Sequence, residues 1–141
     1  MVDILTIFDI KNYPSNKNFR TSAMALHFRA DGILHVNVIT EQEVTAEQVK
    51  ETVDFTKNIL KGERVPHLIT TEKPYVIPNN EAREYLASKH REEISCADAY
   101  ILKSLAQKII AKFYIRINKP RIPTNFFTDN DSAIIWLKTF I

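Results

Sequence analysis

Apolar residues recur along this chain with two periods, and each change of period marks a boundary between elements. Residues 22–29 and 33–40 alternate apolar and polar positions around Ala30-Asp31-Gly32, the pattern of two half-buried strands joined by a turn. A two-residue Asp31-Gly32 turn would set Phe28 opposite His35 and Leu26 opposite Asn37, which mixes the faces. A three-residue loop with Gly32 left-handed instead pairs Phe28 with Leu34, Leu26 with Val36, Met24 with Val38 and His27 with His35. A one-residue slip turns every side chain over, so the register that unites the apolar set is the predicted one.

From Thr45 the period lengthens to that of a helix. Thr45 and Gln48 have capping-box spacing, and Val49, Val53, Thr56 and Leu60 follow on one face before Gly62 at the C-cap. Val65 to Thr71 reads as a strand and 72–78 as a loop stiffened by Pro74 and Pro78. Asn80 caps a second helix carrying Ala82, Tyr85, Leu86 and Ile94. Ala97 to Leu102 is a strand. A third helix starts near Ser104, with Leu105, Ile109, Ile110, Phe113 and Ile117 facing inward, and stops at Lys119-Pro120. A last strand (Ile122, then Phe126 and Phe127) leads through Thr128-Asp129 into a helix with Ala133, Trp136, Leu137 and Phe140 on one face. Leu137 is expected to be buried, and Trp136 to pack against the sheet and the third helix. Hairpin first, then helices and strands in alternation, is the order of an α/β fold with a mostly parallel sheet.

The 141 residues suffice for one domain, assigned to 21–141. Residues 1–20 form an N-terminal extension: an apolar segment from Ile4 to Ile10, suited to an extra strand or a dimerising arm, and a polar linker over 12–18. Lys and Arg number 19 against 17 Asp and Glu, so no basic field argues for nucleic acid. The single cysteine, Cys96, fits a reducing cytoplasm and excludes a cysteine-rich zinc site. No signal peptide and no apolar run of membrane-spanning length is evident. Both glycines, Gly32 and Gly62, are taken by turn and cap geometry. None remains for a Walker loop, a dinucleotide fingerprint or a nucleophile elbow.

Several segments resemble the STAS-like fold of bacterial anti-sigma factor antagonists, and more closely a family of small uncharacterised bacterial proteins sometimes labelled STAS/SEC14-like. They are Asp31-Gly32-Ile33-Leu34-His35-Val36, Val65-Pro66-His67-Leu68, Glu81-Ala82-Arg83-Glu84-Tyr85, Asn118-Lys119-Pro120, Pro123-Thr124 and Phe127-Thr128-Asp129 with Ala133, Trp136 and Leu137. The resemblance implies a mostly parallel five-stranded sheet with one antiparallel hairpin strand, and about four helices mainly on one face. It also implies a regulator switched by serine phosphorylation after the third strand. The equivalent loop here, 70–80, has no serine, which leaves Thr70 and Thr71 as phospho-acceptor candidates.

Side-chain chemistry offers little else. His27 and His35, opposite one another, are the metal candidates, but zinc needs three or four ligands and no tight ligand spacing occurs. The carboxylates of the first helix read as a solvated surface, and no catalytic residue or cofactor is assigned. Lys108, Lys112 and Arg116 make a basic stripe on the third helix. With Ile101 inward, Tyr100 and Leu102 would face outward, together with one of Phe126 and Phe127, leaving aromatics on a helix-free face. The expected function is therefore non-catalytic protein interaction by a cytoplasmic homodimer, with Ile7, Phe8, Tyr100, Phe126 and Phe127 as interface candidates. An apolar ligand of SEC14-like kind, held near Tyr85, Phe113 and Tyr114, is the alternative, and a metal-dependent enzyme built on His27 and His35 ranks last.

Overall fold

The computed structural model describes residues 16–141. The segment Ile4–Ile10, with Ile7 and Phe8, lies outside the described residues. Among the described residues six strands form one sheet in sequential order: β1 Asn18–Arg20, β2 Met24–Phe28, β3 Leu34–Val38, β4 Val65–Thr71, β5 Ser95–Ile101 and β6 Thr124–Phe127. β1 pairs with β2 and β2 with β3 in antiparallel fashion, and β3 to β6 are parallel. The helices are α1 Ala46–Leu60, α2 Asn80–Leu86, α3 Lys89–Glu92, α4 Leu105–Phe113, which continues as a π-helical turn over Tyr114–Asn118, and α5 Asn130–Lys138.

The hairpin adopts the predicted register, with Phe28 opposite Leu34 and His27 opposite His35. Gly32 has φ +88°, and Arg29 N–H donates to the Ile33 carbonyl, closing the three-residue loop. The expected five-stranded sheet gains a sixth strand at its hairpin edge. β1 was not legible because Phe19 is its one apolar residue, too few to set a period. Phe19 sits opposite Leu26 and packs its ring on Phe28 and Phe55.

Thr45 and Gln48 form the predicted capping box at the start of α1. The expected second helix is broken in two. Asn79, not Asn80, caps α2, and Ser88 caps α3 while its hydroxyl donates to the Tyr85 carbonyl.

Sequential strand order with right-handed crossovers places α1 to α4 on one face of the sheet. Leu26, Phe28, Leu34 and Val36 meet Val49, Val53 and Leu60 there. The other face is not helix-free. α5 returns across it, packing Ala133 and Leu137 on Leu68, Ala97, Ala99 and Ile101. The two alanines leave room for close approach. Leu137 is fully buried as expected. Trp136, however, packs on Phe127 and Phe140, because α5 and α4 lie on opposite sides of the sheet.

Two side-chain assignments change with this second layer. Strand alternation sends Ile101 toward α5, so its neighbour Tyr100 faces α4 and is not an outward aromatic. α4 itself is rotated from its apolar pattern: Gln107, Ala111 and, in the following turn, Tyr114 are buried. Leu105, Ile109 and Ile117 are 72%, 57% and 58% exposed. The cause is Gln107, whose side-chain amide donates to the Lys73 and Val76 carbonyls and accepts from Lys103 N–H. Those bonds tie α4 to the proline loop and set its orientation.

Candidate functional site

Between the sheet and α1, α4 and the proline loop lies a cavity of about 130 Å³, walled chiefly by Val36, Val53, Ile69, Ile94 and Ile110. Two strands, β4 and β5, and the turn after α4 place a small polar set in this apolar surround. His67 is the one strongly polar side chain that β4 sends to the inner face, where it sits opposite Leu34 and Asp98. It is 1% exposed. Its Nδ1 lies 2.9 Å from the Val65 carbonyl, which can only accept, so the proton resides on Nδ1. The Nε2 lone pair is buried and has no partner. Burial, reinforced by Arg91, holds the imidazole pKa well below its usual value, so the ring is neutral.

Tyr100, two residues beyond Asp98 on β5, and Tyr114, first residue of the π turn, meet edge to face with ring centroids 6.1 Å apart. Both hydroxyls are sealed from solvent, and neither makes a hydrogen bond of ordinary geometry. Burial pushes both phenols far up, so they act as neutral hydroxyls. Arg91 of α3 reaches Asp98 at 2.7 Å, and the Ser95 hydroxyl donates to the same carboxylate oxygen, also at 2.7 Å. This pair is buried and internally neutral. Burial still raises the Asp98 pKa, against the pull of Arg91 and Ser95.

Of the ligand-pocket candidates, Tyr114 lines the cavity. Tyr85 instead stacks on His90 at 5.1 Å, and Phe113 lies beneath the Arg83 guanidinium, half exposed. His67, Arg91, Asp98 and the inward Tyr100 were not assigned to a pocket from the sequence. The available signal was the lone His67 and lone Asp98 within otherwise apolar strand runs, since a strand covered on both faces has no solvated side for them.

His27 and His35 face each other on the opposite side of the sheet, yet they turn to different partners. His27 Nδ1 meets Asn18 Oδ1 at 2.8 Å, and His35 Nε2 meets the Thr70 hydroxyl at 2.7 Å. Thr70 spends its proton on Asn37 Oδ1, so His35 is the donor in that contact. Thr70 is thus buried in the sheet with its hydroxyl doubly engaged, and Thr71 ends the strand. Among the described residues, no group of three His, Cys, Asp or Glu side chains is placed to hold a metal ion. Phe126 packs on Tyr100 and Phe127 on Trp136, one on each side of β6.

The buried histidine gives a pH signature. The unfolded chain protonates His67 near its ordinary value of about 6.5, whereas the folded state resists. More protons bind the unfolded state, so stability is present above that pH and is lost as pH falls through it. His35, also lowered chiefly by burial, acts with the same sign. Urea denaturation should show stability falling between pH 7.5 and 5.5, and falling less in His67→Leu; equal falls would place His67 outside the titration.

These features define a layered α/β domain with a small cavity between its sheet and helices. The chain belongs to a family described as "Domain of unknown function (DUF7793)", whose model matches residues 26–141. No curated protein matches the chain. Among solved structures, an uncharacterized protein from the DUF3478 family with a SpoIIAA-like fold, from Shewanella loihica PV-4, is similar with a TM-score of 0.55. It is 20% identical, over 82% of this chain and 92% of that one. That likeness establishes the STAS-like fold that the sequence segments implied. Among the described residues no helix is long and apolar enough to cross a membrane.

Proposed function

We propose that this is a non-catalytic regulatory domain that acts by binding a small, mainly apolar molecule between its sheet and helices. The observation that carries the reading is the apolar cavity itself, lined by Val36, Val53, Ile69 and Ile110, with the side chains of His67, Tyr100 and Tyr114 among its walls. Small-molecule sites are typically concave and mainly apolar with a few polar side chains. The chain's thiol is not primed as a nucleophile, because burial raises the Cys96 pKa. Titration with a library of small apolar fragments, followed through the methyl resonances of Val36, Val53 and Ile69, tests the reading. Shifts confined to the cavity are expected, and an unmoved spectrum across the library would overturn it.

A second reading, self-association as a cytoplasmic homodimer, draws on a different observation. α4 presents Leu105 and Ile109 to solvent beside β6, whose outer edge has no strand partner among the described residues. Antiparallel pairing of two β6 edges about a two-fold axis would cover both features. Phe126 and Phe127 belong to that surface, whereas Tyr100 faces the cavity. Sedimentation at micromolar concentration should give twice 16.3 kDa, reverting to a monomer in Leu105→Asp. A wild-type monomer would remove this reading and leave the ligand site untouched.

A further inference from the structure

We infer that the outward face of α4 and of the turn after it docks on an anionic lipid bilayer, with the helix lying in the plane of the interface. Gln107 sets this face. By holding α4 so that Gln107, Ala111 and Tyr114 are buried, it sends Leu105, Ile109, Phe113 and Ile117 outward. Residues four apart share one side of a helix, so these four make a single apolar row, ~18 Å long at the rise of an α-helix. A helix that faces only water keeps polar residues on that side and turns its apolar ones to the core. Here the middle of the wet side is apolar.

Charge selects the occupant. Lys108, Lys112 and Arg116 run beside the apolar row, with Lys103 before it and Lys119 after it, all exposed. From Ala99 to Thr128 the sequence holds six Lys and Arg and no Asp or Glu. Arg121 is taken by Glu92 at 3.2 Å, and among the described residues none of the other five has a carboxylate partner. Asp129, at the rim of the adjoining groove, is engaged by Ser132 as the cap of α5. Cations of one sign beside an apolar row are the pattern of an interfacial helix. Its apolar side chains enter the acyl boundary while lysine and arginine reach the headgroups. Nucleic acid shares the negative sign but stacks its bases on aromatic platforms, and this row is mostly aliphatic. Self-association would use the same Leu105 and Ile109 but would set like charges face to face, so the two assignments are exclusive and one experiment separates them.

The test uses the full chain and vesicles of phosphatidylcholine, alone or with about one-third phosphatidylserine, with binding read by co-sedimentation. The anionic vesicles should bind it about tenfold more tightly or better, and ~1 M salt should release most of it. Lys112→Ala should weaken binding about fivefold, the worth of one cation near an anionic surface. Leu105→Ser combined with Ile109→Ser should abolish binding and leave the denaturation midpoint unchanged, since both side chains lie outside the core. Equal binding to the two kinds of vesicle would overturn the charge argument. Binding that survives the serine pair would mean adsorption by charge alone and would overturn insertion of the apolar row. No pelleting with either vesicle would overturn the inference altogether. The face would then fall to an acidic protein or, where the wild type sediments as a dimer that the serine pair splits, to a second copy.

Discussion

Arg91→Leu should lower the unfolding free energy by ~3–5 kcal/mol, because it strands the Asp98 carboxylate in the interior without its cation. Arg91 and Asp98 side chains are 6% and 1% exposed and 2.7 Å apart, so water cannot take over the lost role. The Ser95 hydroxyl alone remains on the carboxylate, and a neutral donor does not balance a charge. Asp98→Leu should cost a similar amount by stranding Arg91. The double variant should recover much of the loss, since two apolar residues need no compensation. The pH response separates this from simple packing damage. In Arg91→Leu the folded-state pKa of Asp98 rises further above its unfolded value, so the deficit should shrink as pH falls. Urea denaturation of the three variants at two pH values measures all of this. A double variant no more stable than the worse single one would show that the pair is held for its shape.

Leu137→Ala should be comparably damaging, at ~2–5 kcal/mol, through lost burial and the cavity left behind. Leu137 is fully buried on the second face of the sheet against Ala97, Ala99 and Leu68. Small neighbours are the reason for placing it near the upper part of that range: alanine side chains cannot reach into the vacated volume. Ile135→Ala, two residues earlier on the solvent side of the same helix and 70% exposed, is the matched control and should be near neutral. A denaturation midpoint for Leu137→Ala equal to that of Ile135→Ala would mean that α5 contributes little to the fold.

How far the sequence reached depends on whether an element has one wet side. β2 and β3 do, so their alternation fixed the register down to His27 opposite His35. The helical stretch from Leu105 to Asn118 does not obey its own periodicity. Gln107 is drawn inward by carbonyls of Lys73 and Val76, more than thirty residues earlier, and no local pattern reports such bonds. Tyr100 was misplaced for a related reason. The alternation within β5 is real, but both faces of that strand are covered, so alternation cannot say which side faces solvent. The polar residues lining the cavity, His67, Tyr100 and Tyr114, come from β4, β5 and the π turn, and only the assembled fold brings them together. The resemblance to the STAS-like fold supplied the architecture, while its serine switch has no counterpart in the 70–80 loop.

The return of α5 across the second face also bears on how the domain is made in a cell. Of the described elements α5 is encoded last, so the strands it covers are made before it. Until α5 docks, Leu68, Ala97, Ala99 and Ile101 lack their cover on the second face. Uncovered apolar residues on a nascent chain are a target for chaperones and for sticking to its neighbours. Any premature stop or frameshift before Asn130 would make that passing condition permanent, and the truncated chains should be recovered as inclusion bodies even though most of their hydrogen-bonded framework is encoded.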